Sequence, residues 1–340
     1  MNPEWHKPRP ERLPPPSFAP PVMAAGLMCL LWGAVTSWVV SAIGLAIVAA
    51  AGTLWIRELT GTAEVSGRKE MEPAAPLPVT RAASTRSLSA AGVPVWYAAV
   101  LAAATFALVV LGAEVTSHQL SFGLVHRVLG ALVGALTLGL LVWLRPFGWL
   151  LVGLAAVEAI AGGTVHAFLA HLFFAATVVI VLISSKGWKR EPEVMDDLAT
   201  PPLRSLCVAM VALAVLQVAL GAAVRHRAMG PMLHIVMALI VALAILLVGV
   251  LVMNQCPTHR TLRPLAILMM TITGAQVFLG FAAFIVRMMA EESALPVVVS
   301  TVAHVATGAL TLASTVIMML QIRRHLRPAP ARQSIEPVAP

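Results

Sequence analysis

Four histidines lie inside apolar segments of this 340-residue chain, each in a different segment: His126, His171, His234 and His304. Ionisable side chains are costly inside a lipid bilayer, so they usually face the interior of a helix bundle, where they meet a partner or a bound group. A single histidine in such a place can simply hydrogen-bond to a neighbouring helix. Four histidines at matching positions of a repeated sequence instead indicate that they act as ligands.

The chemistry that suits these histidines is haem ligation. Zinc and copper sites recruit further His, Cys or carboxylate ligands, which are scarce around them. Haem needs only axial ligands from the protein, and its flat apolar ring suits a groove of small and aliphatic side chains. We therefore predict two bis-histidine haem sites, His126 with His171 and His234 with His304. His166 and His171 project about 140° apart on one helix, so they cannot both face one haem. We rank His171 first because it fits the sequence repeat.

The composition requires a membrane around these sites. Hydrophobic residues make up 59% of the chain and charged residues 11%, against roughly 45 to 50% and 25% in soluble domains. The apolar residues fall in runs of about 20, the length that crosses a bilayer as a helix. The 23 Lys and Arg residues are scattered between these runs without a basic face, which excludes a nucleic-acid partner. Membrane lipid is the predicted environment.

The runs predict an all-α polytopic membrane protein with two duplicated four-helix transmembrane bundles, preceded by an N-terminal helical hairpin. The first run is too long for one span, so we divide it near Ser37; a single tilted helix is the alternative. The eight later runs make up the two bundles, for ten spans in all. The predicted regions are a cytoplasmic leader (1–20), the hairpin (21–56), a flexible cytoplasmic linker (57–92), the first bundle (93–185), a cytoplasmic loop (186–203), the second bundle (204–322) and a cytoplasmic tail (323–340).

The distribution of basic residues predicts the topology. With ten spans and the N-terminus inside, most Lys and Arg residues fall on the cytoplasmic side, as the positive-inside rule requires. Outside lie Arg225, Arg227 and Arg287, and Arg127 lies within a span. We therefore predict a multi-pass protein of the cell inner membrane with both termini in the cytoplasm.

The two predicted bundles are internal repeats. The segment from Leu111 to Val115 matches that from Leu220 to Val224, and a histidine follows the glycine of each. A second pattern recurs at the ends of four helices, where a glycine stands one helical turn after a particular residue. The four pairs are Leu108 with Gly112, Glu158 with Gly162, Gln217 with Gly221 and Gln276 with Gly280. Close helix packing at small residues is the general explanation for such glycines.

From Val93 to Ile322 the chain resembles the haem A synthase family. The resemblance rests on eight spans in two repeats, on His126-Arg127, on the segment from Gln217 to Arg225 and on the segment that begins at His304. It implies oxidation of a methyl group of haem O to the formyl group of haem A. It also implies that His126 and His171 hold the substrate haem O, while His234 and His304 hold a permanent haem b. Haem O synthase and a terminal oxidase, or its assembly factors, are the implied partners.

The chain departs from the family pattern at the catalytic carboxylate. Family members have a glutamate one turn before the first histidine, where this chain has Gly123. Glu158 and Glu114 are candidates to replace it, although a helix–helix hydrogen bond and a solvated helix end are the simpler interpretations of the two. The alternative function is a non-catalytic bis-histidine haem b protein in electron transfer or oxidase assembly. A transporter is the third alternative, since repeats are common there.

Arginines near the outer boundary are candidates to bind the haem propionates. Guanidinium groups pair well with carboxylates in partly desolvated places, and Arg127, Arg225 and Arg227 lie there. Snorkelling to lipid headgroups is the alternative. Cys256-Pro257 resembles the short motif through which some proteins sense haem, but isolated cysteines usually form no site.

Overall fold

The computed structural model describes residues 19–36, 38–60, 92–118, 122–145 and 147–328. The chain divides into two compact units, residues 1–79 and 80–340. Of the predicted regions, the leader, the linker and the tail lie largely outside the described residues, so their character stays a prediction.

The first unit contains an antiparallel helical hairpin. Helix α1 (Ala19–Thr36) and helix α2 (Trp38–Thr60) pack along their lengths. Gly26 approaches the backbone of Val48, where an added methyl group would come within 2.8 Å of the Val48 nitrogen. The Ser41 hydroxyl donates to the backbone oxygen of Leu30 at 3.1 Å. Small residues at the contact therefore let the two helices approach closely.

The first four-helix bundle opens the second unit. Its helices are α3 (Val95–His118), α4 (Gly123–Gly139), α5 (Phe147–Ile160) and α6 (Gly163–Ser184), and a single 3-10 turn (Leu140–Val142) extends α4. Each helix contacts the next, and α6 closes the ring by packing on α3. The core of the ring includes Leu101, Leu140 and Phe173, each almost fully buried.

The second bundle repeats this arrangement. A short helix α7 (Lys186–Lys189) leads into it, followed by α8 (Leu203–Arg225), α9 (Met232–Gln255), α10 (Leu262–Met289) and α11 (Leu295–His325). Again each helix contacts the next, and α11 packs back on α8. We call the end at which α3, α5, α8 and α10 finish the histidine end, because the four following helices carry their histidines near it.

A layer of α3, α6 and α11 joins the two bundles. Phe174 of α6 packs against Ala309 and Ala313 of α11 and against Val109 of α3. At the histidine end, Nη2 of Arg225 donates to the backbone oxygen of Ala113 on α3 at 2.9 Å. The two bundles thus share apolar and polar contacts within one unit.

Eight described helices are long and apolar enough to cross a membrane: α2, α3, α4, α6, α8, α9, α10 and α11. The chain is therefore an all-α multi-pass membrane protein, as its composition predicts. Ten spans were expected, and the two others are shorter apolar helices. Helix α5 has 14 residues and reaches about 21 Å at 1.5 Å per residue, less than a hydrocarbon core of about 30 Å.

A two-stranded parallel ribbon lies at the opposite end of the second bundle. Strand β1 (Met195–Asp197) pairs with strand β2 (Leu326–Pro328), with Met195 opposite Leu326. The Asp197 carboxylate accepts hydrogen bonds from the backbone nitrogens of Leu203 and Arg204 at 3.1 and 3.0 Å, and so caps the start of α8. The predicted loop 186–203 is thus tied to the chain that follows α11.

Candidate functional site

The second bundle brings the rings of His234 and His304 together in an edge-to-face arrangement. Their ring centroids are 6.2 Å apart and the ring planes are perpendicular, at 89°. His234 is the third residue of α9 and His304 lies about two turns into α11, so both project into the bundle near the histidine end. The sequence predicted this pair.

A glutamine and a glycine of α8 frame His234. The Gln217 amide nitrogen donates to the backbone oxygen of His234 at 3.0 Å and lies 3.1 Å from its Nδ1. One turn later, a methyl group on Gly221 would come within 3.0 Å of the Cε1 atom of His234. The absence of a side chain at Gly221 therefore leaves room for the ring.

A second glutamine and glycine, on α10, frame His304. The Nδ1 atom of His304 donates to the backbone oxygen of Gln276 at 3.2 Å, and the Gln276 amide nitrogen lies 3.4 Å from Nε2. A methyl group on Gly280 would lie 2.7 Å from the Cε1 atom of His304. Gly308 leaves space for the amide of Gln276, since a methyl group there would lie 3.0 Å from its nitrogen.

In the first bundle the ring that meets His126 belongs to His166. The ring centroids are 6.1 Å apart with an interplanar angle of 71°. The Nδ1 atom of His166 donates to the backbone oxygen of Glu158 at 2.9 Å. Glu158 and Gln276 each stand one turn before a glycine in the sequence repeat, so His166 makes the bond that His304 makes in the second bundle.

His171 does not take part in this pair, although the repeat ranked it above His166. Its Nδ1 atom bonds to the backbone oxygen of Ala167 at 2.8 Å, and its ring lies against the backbone of Val305 on α11. The physical reason is the helical turn of about 140° between the two histidines. Because His166 faces α4, His171 must face the layer between the bundles.

His126 is framed on one side only. A methyl group on Gly112 would lie 3.1 Å from its Cε1 atom, as at Gly221 in the second bundle. The Nδ1 atom of His126, however, is buried without a hydrogen-bond partner. The residue that corresponds to Gln217 in the repeat is Leu108, whose side chain has no polar atom.

The two candidate carboxylates lie in different surroundings. Glu158 is 8% exposed on α5 and accepts the His166 hydrogen bond through its backbone, so it belongs to the first histidine pair. Glu114 is half-buried on α3 and lies within electrostatic reach of Arg225. Gly123 begins α4, one turn before His126.

The three candidate arginines have different roles in the structure. Arg225 donates to Ala113 and, at 2.5 Å, to the Ser117 hydroxyl, while its Nε atom is buried without a partner. Arg227 adopts a positive φ of 57° and pairs on the surface with Glu292. Arg127 is exposed beside His126. The structure thus uses Arg225 to join the bundles and Arg227 in a surface ion pair.

The donor set and its spacing fit haem. Haem takes its protein ligands from imidazoles such as these, and each pair brings two imidazole rings together, with centroids 6.2 and 6.1 Å apart. Buried polar atoms without partners accompany the rings, namely His126 Nδ1, Gln217 Oε1 and Gln276 Oε1. The described residues hold no group of three His, Cys, Asp or Glu side chains arranged for a bare metal ion.

Comparison with known proteins gave no match. No protein-family model, curated protein or solved structure is similar to this chain at a significant level.

Proposed function

We propose that this membrane protein binds haem at both imidazole pairs and carries out a haem A synthase-like reaction, the oxidation of a haem O methyl group to formyl. The observation that carries the proposal is the asymmetry of the pairs. The first pair has a buried carboxylic acid, Glu158, where the second has the amide Gln276. One site is thus equipped for proton transfer and the other for stable binding.

The second pair is the proposed cofactor site. His234 and His304 would hold haem b, and Gly221 and Gly280 leave the space that both imidazole rings require. Haem b supplies one-electron redox chemistry when bound. The hydrogen bond from His304 Nδ1 to Gln276 fixes the tautomer with an unprotonated Nε2, which lies 3.4 Å from the Gln276 amide nitrogen and would hold the metal in place of that contact.

The first pair is the proposed substrate site, with His126 and His166 as the ligands of haem O. Conversion of a methyl to a formyl group with water as the oxygen source releases four electrons, which an external electron acceptor must take up, and four protons, so a proton acceptor must lie beside the pair. Glu158 is the buried carboxyl group on the element that orients His166. In this proposal its carboxylate accepts protons, which replaces the glutamate that the family has at the position of Gly123.

The proposed cellular role follows from this reaction. Haem O synthase would supply the substrate, and a terminal oxidase or its assembly factors would receive the product. The proposed location is the cell inner membrane with both termini in the cytoplasm, on the basis of the Lys and Arg distribution.

A second function, that of a non-catalytic haem b carrier in electron transfer or oxidase assembly, is favoured by one observation. Gly123 has no side chain at the point where α4 starts beside the first pair. If Glu158 only orients His166 through its backbone oxygen, both sites can bind haem without converting it.

Pigment analysis distinguishes the two functions. The full chain is expressed together with a haem O source, and the haems are extracted and separated. Formyl haem supports the enzyme, whereas bound haem b without conversion supports the carrier. The Glu158→Gln variant is the matched control for chemistry: we expect it to retain bound haem and to lose conversion by about 10²-fold or more, the usual contribution of a general base. A variant that converts haem O at the wild-type rate would contradict the role of Glu158.

A further inference from the structure

We infer that the residue one turn before the glycine of α3 and α8, Leu108 in the first bundle and Gln217 in the second, sets how tightly each site holds its haem. This inference rests on the proposed function. In both sites a glycine contacts the first histidine, and the second histidine donates a hydrogen bond to a backbone oxygen of the preceding helix. They differ in the hydrogen-bond partner of the first histidine.

In the second bundle Gln217 provides that partner. Its amide nitrogen bonds to the His234 backbone at 3.0 Å and lies 3.1 Å from Nδ1, and its Oε1 atom is buried with no partner. A side-chain amide can exchange its oxygen and nitrogen positions by turning over. In the structure the amide nitrogen faces Nδ1 of His234, and turning the amide over brings the acceptor Oε1 to Nδ1 while it gives up the bond to the His234 backbone oxygen.

Metal binding requires the acceptor. When an iron occupies Nε2 of a neutral imidazole, the proton resides on Nδ1, and this N–H group needs a hydrogen-bond acceptor in a buried place. The unpartnered Oε1 of Gln217 is the acceptor within reach of His234. Removal of such an outer partner typically costs 10- to 100-fold in metal affinity.

In the first bundle this acceptor is missing. The Nδ1 atom of His126 is buried without a partner. Leu108 packs beside Gly130, one turn beyond His126 on α4, with its Cδ1 atom 4.0 Å from where a Gly130 methyl group would lie. An N–H group on His126 would stay unsatisfied there, and a buried donor without a partner weakens the bound state.

The difference matches what each site has to do. A substrate site must release its product haem, whereas a cofactor site must keep its haem through many turnovers. Leu108 lets the first site release its haem, and Gln217 makes the second site keep its haem. The sequence repeat thus carries a functional difference at one position.

The test exchanges the two residues in proteins with one working site each. The His166→Ala protein keeps the second site, and Gln217→Leu is introduced there. His304→Ala leaves the first site, in which Leu108→Gln is added. Each full-length protein is purified without haem and titrated with haemin. We expect the first exchange to weaken binding by 10- to 100-fold and the second to strengthen binding by a similar factor.

A conservative variant separates hydrogen bonding from packing. Gln217→Glu keeps an acceptor, so we expect it to bind haemin within about threefold of the parent and to lower the midpoint potential of the haem, because a carboxylate increases the basicity of the ligand. If Gln217→Leu fails to fold, the haemin affinity of the Leu108→Gln protein still tests the inference.

The outcomes are distinct. If both single-site proteins bind haemin and both exchanges change the affinity by less than about threefold, the inference is overturned while the proposed function stands. If neither single-site protein binds haemin, the proposed function itself fails, and the inference fails with it.

Discussion

His166 donates a hydrogen bond from Nδ1 to the backbone oxygen of Glu158 at 2.9 Å. His304 makes the same bond to Gln276 at 3.2 Å. Because Glu158 and Gln276 occupy matching positions of the sequence repeat, the two bundles build their imidazole pairs in the same way. In both, the bond places the proton on Nδ1 and leaves Nε2 unprotonated, the form of imidazole that binds a metal.

Two substitutions on α6 test which histidine pairs with His126. We expect His166→Ala to abolish haem binding at the first site, because it removes the ring that faces His126. His171→Gln is the matched control, since His171 bonds to the backbone of Ala167 and lies against the backbone of Val305 on α11. Haemin titration in a His304→Ala protein measures the effect. Loss of binding with His171→Gln and retention with His166→Ala would reverse the assignment.

The glycine contacts of the second pair predict a strong effect from one added methyl group. Gly280→Ala places this group 2.7 Å from the Cε1 atom of His304, so the ring must shift and haem binding should fall at least tenfold. Gly274→Ala on the same helix meets nothing within 4 Å, and there alanine should stabilise the helix by about 0.5 to 1 kcal/mol. Haem content and the melting temperature report the two effects. Equal haem content in both variants would refute the contact.

His226 predicts a pH dependence of stability at the histidine end. It lies between α8 and α9, and burial, followed by the charges of Arg225 and His166, lowers its pKa below the ordinary 6.5. As the pH falls below 6.5, the unfolded chain takes up this proton before the folded protein does, so folding stability decreases. We expect His226→Gln to lose less stability between about pH 7 and pH 5 than the wild type. Identical pH dependence of the two melting temperatures would contradict this.

Cys256 should be unreactive in the folded protein. Its side chain is 1% exposed, and burial, with the nearby charges of Asp197 and Glu193, raises its pKa to about 11. Little thiolate exists at neutral pH, and the thiolate is the nucleophile and metal ligand. In a Cys29→Ser, Cys207→Ser protein, maleimide should label Cys256 only after unfolding. Rapid labelling of the folded protein would revive the haem-sensing interpretation of Cys256-Pro257.

Repetition made much of the site predictable from sequence. The pair of His234 and His304, and the glycines one turn after Gln217 and Gln276, are visible as spacing alone. The partner of His126 was not, because it depends on where α6 begins. Gly163, with a φ of 55°, forms the turn that starts α6 three residues before His166. The sequence contains both glycines of that turn but not the direction in which the helix leaves it.

Other contacts depend on how helices rotate against one another. The amide of Gln217 reaches His234 only because α8 presents that face to α9. The sequence pattern indicated a helix contact but not its chemical partner. The pairing of Met195 with Leu326 joins segments more than a hundred residues apart, and three-residue strands leave no recognisable alternation.

The most direct test of the account is electron paramagnetic resonance of the purified, oxidised protein loaded with haemin. In a His166→Ala protein, in which the second pair is the remaining site, the imidazoles of His234 and His304 predict a low-spin signal from iron with two histidine ligands. Adding His304→Ala should abolish this signal, and adding His171→Gln should leave it unchanged. A high-spin signal that persists in His304→Ala, or a protein that takes up no haem, would contradict the account.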